Sequence, residues 1–221
     1  MSCGFHMYKK IGEGTGLVAL VDPENPKQVM KIPKPGKWTY AQASEKIRLL
    51  SEIGQSQSVI AKTRFRESVG VTWRSGRPSI LNLSWKTHQY KGWAFEQTRL
   101  FKILEKYPKL QIVDLDQFVQ IHHSLWRVGV GFASANELYG MFNKGLDSKD
   151  RLLAFDIGSL TSDVKLIRER YQSGSYGSKK QQMIDGLSKV NSPELVATYS
   201  DYMDTYLNLQ MFDRLWRSDK A

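Results

Sequence analysis

Gly12-Glu13-Gly14-Thr15-Gly16 stands between two strand-like runs, Met7–Ile11 before it and Leu17–Val21 after it. Three glycines in five positions, flanked this way, predict a strand–turn–strand unit. Its backbone N–H groups are open to close approach, because glycine has no Cβ to obstruct them. Two other phosphate loops do not fit. A Walker loop needs Gly-Lys-Ser/Thr ahead of a helix, and a dinucleotide fingerprint needs its glycines to open one, whereas here a strand follows. Downstream, Asp22-Pro23-Glu24-Asn25-Pro26 supplies a turn, since proline fixes φ and Asp and Asn favour bends. Val29-Met30-Lys31-Ile32-Pro33 is then the returning strand, with Lys31 at its centre among apolar neighbours. An ammonium so placed pays a desolvation cost unless an anion meets it.

Working outward, Tyr40–Ile53 switches to helical spacing, with Ala43, Ile47, Leu50 and Ile53 along one stripe and Gly54 as a stop. Glu45 borders that stripe, and Glu52 is its rival for the same role. Strand-like pieces at Ser58–Phe65, Gly70–Trp73 and Ser79–Trp85 complete a mostly antiparallel sheet with one inserted helix over residues 1–90. After Gly92 the helical period dominates, predicting helices over Trp93–Tyr107 and Leu115–Val128. Glu137–Phe142 and Arg151–Phe155 read as two strands joined by the polar turn Asn143–Asp150. Arg170–Gln182, rich in Ser, Gly, Lys and Gln, reads as a loop. Ser192 caps a final helix with Pro193 in its first turn, running to Trp216. The expected fold class is therefore α+β, with one part over 1–90 and a mainly helical part over 91–221.

Leu152-Leu153-Ala154-Phe155-Asp156-Ile157-Gly158 is an apolar strand that ends in Asp-x-Gly. The glycine turn, Lys31, Glu45 and this Asp-x-Gly, in that order, resemble the protein kinases. The hairpin from Val21 to Ile32 is similar to that of small bacterial kinase-like proteins, including the PhoP regulatory network family. The chain's size is similar to that of the minimal kinases that pathogens inject as effectors. The resemblance implies a two-lobed kinase-like fold with an antiparallel N-lobe and a helical C-lobe. It implies ATP phosphates cradled by Gly12, Glu13, Gly14, Thr15, Gly16 and Lys31, a Lys31–Glu45 pair, and Asp156 holding Mg2+. Asn136 or Asn143 takes the family's metal-binding Asn position, Asn143 lying thirteen residues before Asp156. The implied reaction is transfer to a Ser or Thr hydroxyl of a protein substrate.

The chain departs from the family at one point. A kinase places an aspartate five residues before that Asn. Gly131 precedes Asn136 by five residues and Leu138 precedes Asn143, so neither register supplies a general base. His122 and His123 lie within the helix Leu115–Val128 and read as packing residues, and Asp147 and Asp150 as turn formers. A pseudokinase that binds nucleotide as a regulatory or interaction module is therefore the alternative. Asp156-Ile157-Gly158-Ser159-Leu160-Thr161-Ser162-Asp163-Val164 is also similar to the second phosphate motif of actin-like and Hsp70-like ATPases. That fold needs a first motif near the N-terminus, which this sequence lacks, and a longer chain.

A net charge of +10 admits a third class, a basic nucleic-acid-binding protein. Its basic residues are dispersed, the longest runs being the pairs Lys9-Lys10 and Lys179-Lys180, which argues against a dedicated nucleic-acid function. Cys3, the single cysteine, excludes an internal disulfide and a cysteine-based zinc site. No apolar run approaches the ~20 residues of a membrane span. No cleavable leader is visible. The expectation is a monomer of the cytoplasm, or one exported into a host cytosol without a cleaved signal.

Overall fold

The strand–turn–strand unit forms around the glycines. β1 (Met7–Glu13) and β2 (Leu17–Asp22) pair antiparallel, with a bulge between Lys10 and Gly12. β3 (Asn25–Pro33) returns against β2 in register Ala19↔Lys31. α1 (Tyr40–Ile53) occupies the expected span and buries Ala43, Leu49 and Ile53. Its start is set by a reciprocal cap: Gln42 N donates to Thr39 Oγ1 (3.2 Å) and Thr39 N to Gln42 Oε1 (2.9 Å). This is a computed structural model, and it describes residues 7–14, 16–53, 59–75, 86–141 and 143–218.

The chain divides into two compact units, Met1–Ile47 with Lys62–Arg99, and Arg48–Ala61 with Leu100–Ala221. The first unit adds β4 (Thr63–Ser75) and β5 (Lys86–Thr98), which form a long antiparallel hairpin. The two strands expected at Ser58–Phe65 and Gly70–Trp73 are thus one, bulged between Arg66 and Val69. The strand expected at Ser79–Trp85 lies outside the described residues.

The strand order β1-β2-β3-β5-β4 closes into a barrel, because β1 also pairs in parallel with β4 at Met7↔Thr72 and Tyr8↔Trp73. Leu20, Ile32, Val71 and Ala94 form its buried centre, with Tyr8, Val18, Met30, Val69, Trp73 and Tyr90 packed around them. The helix expected from Trp93 is a correction, since Trp93–Thr98 continues β5. Ala94, Phe95 and Gln97 are all buried, so both faces of the strand are covered and its period-2 signature is lost.

The second unit holds β6 (Lys102–Ile103), α2 (Ile112–Arg127), β7 (Gly131–Phe132), α3 (Ala135–Tyr139), β8 (Lys144–Leu146), β9 (Leu152–Ala154) and β10 (Leu160–Thr161). Four helices follow: α4 (Val164–Gln172), α5 (Ser175–Leu187), α6 (Pro193–Tyr206) and α7 (Leu209–Leu215). β6-β8-β9 form one antiparallel sheet, and β7 pairs with β10 in a second.

Three expectations are corrected here. Residues 137–139 belong to a short helix, α3, rather than a strand, because Ser134 caps it by accepting from Asn136 N (3.2 Å). A short apolar run does not by itself separate the two periods. Arg170–Gln182 is helical across most of its length, in α4 and α5, with Tyr176 and Met183 buried. Its polar composition reflects a narrow buried stripe. Finally, the helix that opens at Pro193, with Ser192 as its cap, stops at Tyr206. Asn208 starts a new one by accepting from Met211 N (2.8 Å). The fold is mixed α+β, and among the described residues no helix is long and apolar enough to cross a membrane.

Candidate functional site

The residues singled out above fall in different units. Gly12, Glu13, Gly14, Gly16, Lys31 and Glu45 lie in the first, and Asn136, Asn143 and Asp156 in the second. Thr15 lies outside the described residues.

In the first unit, strand register builds one row across the barrel wall: Gly12↔Ala19↔Lys31↔Phe95↔Phe65. Directly opposed residues project to the same face, so half-buried Lys31 shares a face with the first glycine, and the small Ala19 stands between them. The same face carries a ring cluster: Trp38 lies 5.7 Å from Phe95 and 6.5 Å from Trp93, and Phe65 lies 5.9 Å from each of Trp93 and Phe95.

The three glycines differ. A Cβ on Gly12 or Gly14 would meet nothing within 4 Å, whereas on Gly16 it would stand 2.4 Å from Trp38 Nε1. Gly16 is thus demanded by packing, while Gly12 and Gly14 leave open space along the backbone. The turn is closed by Gly14 N donating to Leu17 O (2.9 Å). The Glu13 side chain pairs with Lys10 and with Lys34 (3.3 Å), and these ammonium groups hold its carboxyl below the usual range. Glu45 is exposed on α1, while its rival Glu52 is half-buried and pairs with Arg48. Lys and Arg outnumber Asp and Glu by 15 to 6 in the first unit but only by 17 to 16 in the second. Nearly all of the net positive charge therefore sits on the barrel unit, which favours an anionic ligand there.

In the second unit, Asn143 and Asp156 lie at the same, open end of one hairpin. β8 and β9 pair at Lys144↔Ala154, and Phe155 N donates to Asn143 O (3.2 Å), so Asn143 and Asp156 leave the ladder at the same end. Asp156 then turns the chain: its Oδ1 accepts from Gly158 N (2.9 Å). The β7–β10 pair, with Ala133 N donating to Ser159 O (2.9 Å), holds the far side of that turn. Asn136 is exposed in the first turn of α3, so of the two candidate asparagines Asn143 is the one that accompanies Asp156.

Around Asn143 lies a buried polar cluster that sequence reasoning missed. Glu137, 6% exposed, accepts from Asn143 Nδ2 at Oε1, while its Oε2 is buried without a hydrogen-bond partner. Lys144 is fully buried. Its Nζ donates to the carbonyls of Glu137 (2.5 Å) and Gly140 (2.9 Å) and lies over the rings of Phe118 (5.0 Å) and Phe132 (5.3 Å). Burial pushes the Lys144 ammonium down from 10.5 to about 7, against the opposing pull of the Glu137 and Asp156 carboxylates. Bonding to carbonyls at the C-terminal end of α3 places its charge where the helix dipole favours a cation.

His122 lies among Phe118, Trp126 and Phe132, and neither ring nitrogen has a hydrogen-bond partner among the described residues. Burial, then Lys144 and His123, hold it well below its usual range, so it packs as a neutral ring. Two tyrosine hydroxyls pin the segment from outside: Tyr176 donates to Phe132 O (2.9 Å) and Tyr199 to Tyr139 O (2.7 Å). One signal for this cluster was present in the sequence, a lysine inside the stretch Met141–Leu146, which has no other polar side chain besides Asn143.

Asn143 and Asp156 carry the kind of oxygen donors that a divalent cation takes. Among the described residues no group of three or more His, Cys, Asp or Glu side chains could hold a metal. Mg2+ in nucleotide sites needs no such cage, since one or two carboxylates suffice when phosphate oxygens and water complete the shell. Asn143 commits Nδ2 to Glu137, which leaves Oδ1 on the opposite edge of the amide. Asp156 commits Oδ1 to the turn, which leaves Oδ2. No protein-family model matches this chain, and no curated protein matches it at a significant level.

Proposed function

We propose that this chain is an ATP- and Mg2+-dependent phosphotransferase of the two-lobed protein-kinase type, acting on a Ser or Thr hydroxyl of a protein. The observation that carries the reading is that Asn143 and the Asp-x-Gly aspartate Asp156 leave the β8–β9 ladder at the same end. In this reading Asn143 and Asp156 supply oxygens to the metal, and in the basic barrel unit Lys31 supplies an ammonium to the phosphates, with open space beside Gly12 and Gly14 to admit them. The Lys31 row, with Gly12 and Ala19 on the same face, supports the second part.

Catalysis by such a site is mostly positioning and charge neutralisation, so it does not depend on a strong base. A second reading, a nucleotide-binding pseudokinase, is favoured by Leu138. The residue five before Asn143 is a core leucine, 2% exposed, where a kinase keeps its aspartate.

Thermal unfolding with ATP and Mg2+ tests the shared part of both readings. At a hundred-fold excess over Kd a ligand stabilises by about 2.7 kcal/mol. Lys31→Ala and Asp156→Ala are expected to abolish that shift, and Asp156→Ala also to lower the ligand-free melt by the bond it removes from Gly158 N. An unchanged melt of the wild type at millimolar ATP refutes nucleotide binding. Mass spectrometry after incubation with ATP and lysate then separates the readings: phosphate on protein for the first, none for the second.

A further inference from the structure

We propose that Glu137 is the positioning residue of the metal site: its carboxylate locks the Asn143 amide with Oδ1 turned to the cation, and its second oxygen accepts from a water of that cation. The inference rests on the reading of Asn143 and Asp156 given above.

A primary amide presents an oxygen along one edge and an NH2 along the other, and rotation about its bond to the preceding carbon exchanges them. Only the oxygen edge binds a cation. Asn143 at the mouth of a hairpin needs something that accepts from NH2 and never donates, and an ionised carboxylate is that group. Glu137 Oε1 takes this bond.

Among the described residues the carboxylate accepts no other hydrogen bond, although it attracts the Lys144 ammonium. Lys144 spends its donors on the carbonyl oxygens of Glu137 and Gly140 rather than on the Glu137 side chain. Glu137 Oε2, in a side chain more than nine-tenths buried, is left with no partner among the described residues. Buried carboxylate oxygens are almost always hydrogen-bonded, so an orphan points to a donor that is not part of the chain. Mg2+ keeps several waters in such sites, and each is a donor. The mount is rigid: Ser134 caps α3 at its start and Lys144 holds its final carbonyls, so Glu137 is fixed at both ends of its helix.

Mn2+ titration of the full chain with a non-hydrolysable ATP analogue, read by the EPR signal of free Mn2+, tests this, alongside metal-free thermal unfolding. Glu137→Ala is expected to weaken Mn2+ binding about 10–100-fold, the range for outer-shell partners. Glu137→Gln keeps an acceptor but adds a donor and can turn over with the amide, so it falls between the two. In an Asn143→Ala background Glu137→Ala is expected to cost no more than about three-fold, because the two residues act as a pair. Equal Mn2+ affinity in wild type and Glu137→Ala overturns the proposal, as do equal fold losses in both backgrounds. Should Glu137→Ala not fold, Glu137→Gln binding as tightly as wild type overturns it. No Mn2+ binding by the wild type overturns the functional reading as well.

Discussion

Lys144→Met replaces a fully buried ammonium with an apolar side chain of similar length and separates two opposing effects. Burial lowers the folded pKa from 10.5 to about 7. The unfolded chain therefore holds this proton up to pH 10.5, and the folded chain only up to about pH 7. Between these values the unfolded state binds more protons, so stability rises with pH. At about 1.36 kcal/mol per unit, the burial cost is of order 5 kcal/mol below pH 7 and falls away toward pH 10.5. Methionine has no such slope. It also withdraws two donors, leaving the carbonyls of Glu137 and Gly140 without them, at about 1–3 kcal/mol each at any pH. Near pH 7 the two effects are of similar size, and the variant is expected to be about as stable as the wild type. By pH 10 the wild type should have gained about 4 kcal/mol on it. Urea unfolding at pH 7, 8, 9 and 10, followed by tryptophan fluorescence and far-UV circular dichroism, measures the gap. Titrating groups out of reach of Lys144 are common to both proteins and cancel in the difference. Parallel stability curves for wild type and variant would refute the buried ammonium.

Two further perturbations separate packing from chemistry. Gly16→Ala is expected to cost about 1–3 kcal/mol, because its Cβ would meet Trp38 Nε1 at 2.4 Å, whereas Gly14→Ala has open space and should stay within about 0.5 kcal/mol. Equal losses in chemical denaturation would contradict this packing. His122→Phe is expected to hold or raise the melting temperature, because it removes two buried nitrogens that have no partners among the described residues. The folded imidazole stays neutral while the unfolded one gains a proton below pH 6.5. Wild-type stability therefore falls as pH drops through that value, and the variant should lose this part of the decline. A steeper acid decline in the variant, seen by calorimetry, would refute it.

Local signals were legible where a single turn or stripe decided the outcome. The glycine turn, the span of α1, and Ser192 with Pro193 at the start of α6 all depend on neighbours within a few residues. Barrel closure was not legible, because Met7↔Thr72 joins residues far apart in sequence, and no local pattern encodes a parallel contact of two residues. β5 was hidden by its own burial: with Ala94, Phe95 and Gln97 all inside, alternation vanished and the run imitated a helix. At the candidate site, the spacing of Asn143 from Asp156 was readable because a hairpin converts sequence distance into register. Glu137 was not, because the family pattern looks five residues before the asparagine and the carboxylate that reaches Asn143 comes from six before. A short helix in place of the expected strand carries it there.

The hydroxyls of Tyr176 and Tyr199 fasten a segment that precedes them by some forty to sixty residues, at Phe132 and Tyr139. On the ribosome the order of supply is therefore inverted. The segment that carries Glu137, Asn143 and Asp156 leaves the exit tunnel before the two fasteners do, the chain growing at about 5–20 residues per second. During that interval α3 has its own caps but neither tyrosine. A nascent chain thus displays the parts of the proposed metal site before it can hold them in place, and the segment is fastened only as α5 and α6 dock. Substitutions far down the chain, in helices with no chemistry of their own, would act on this segment by delaying its fastening.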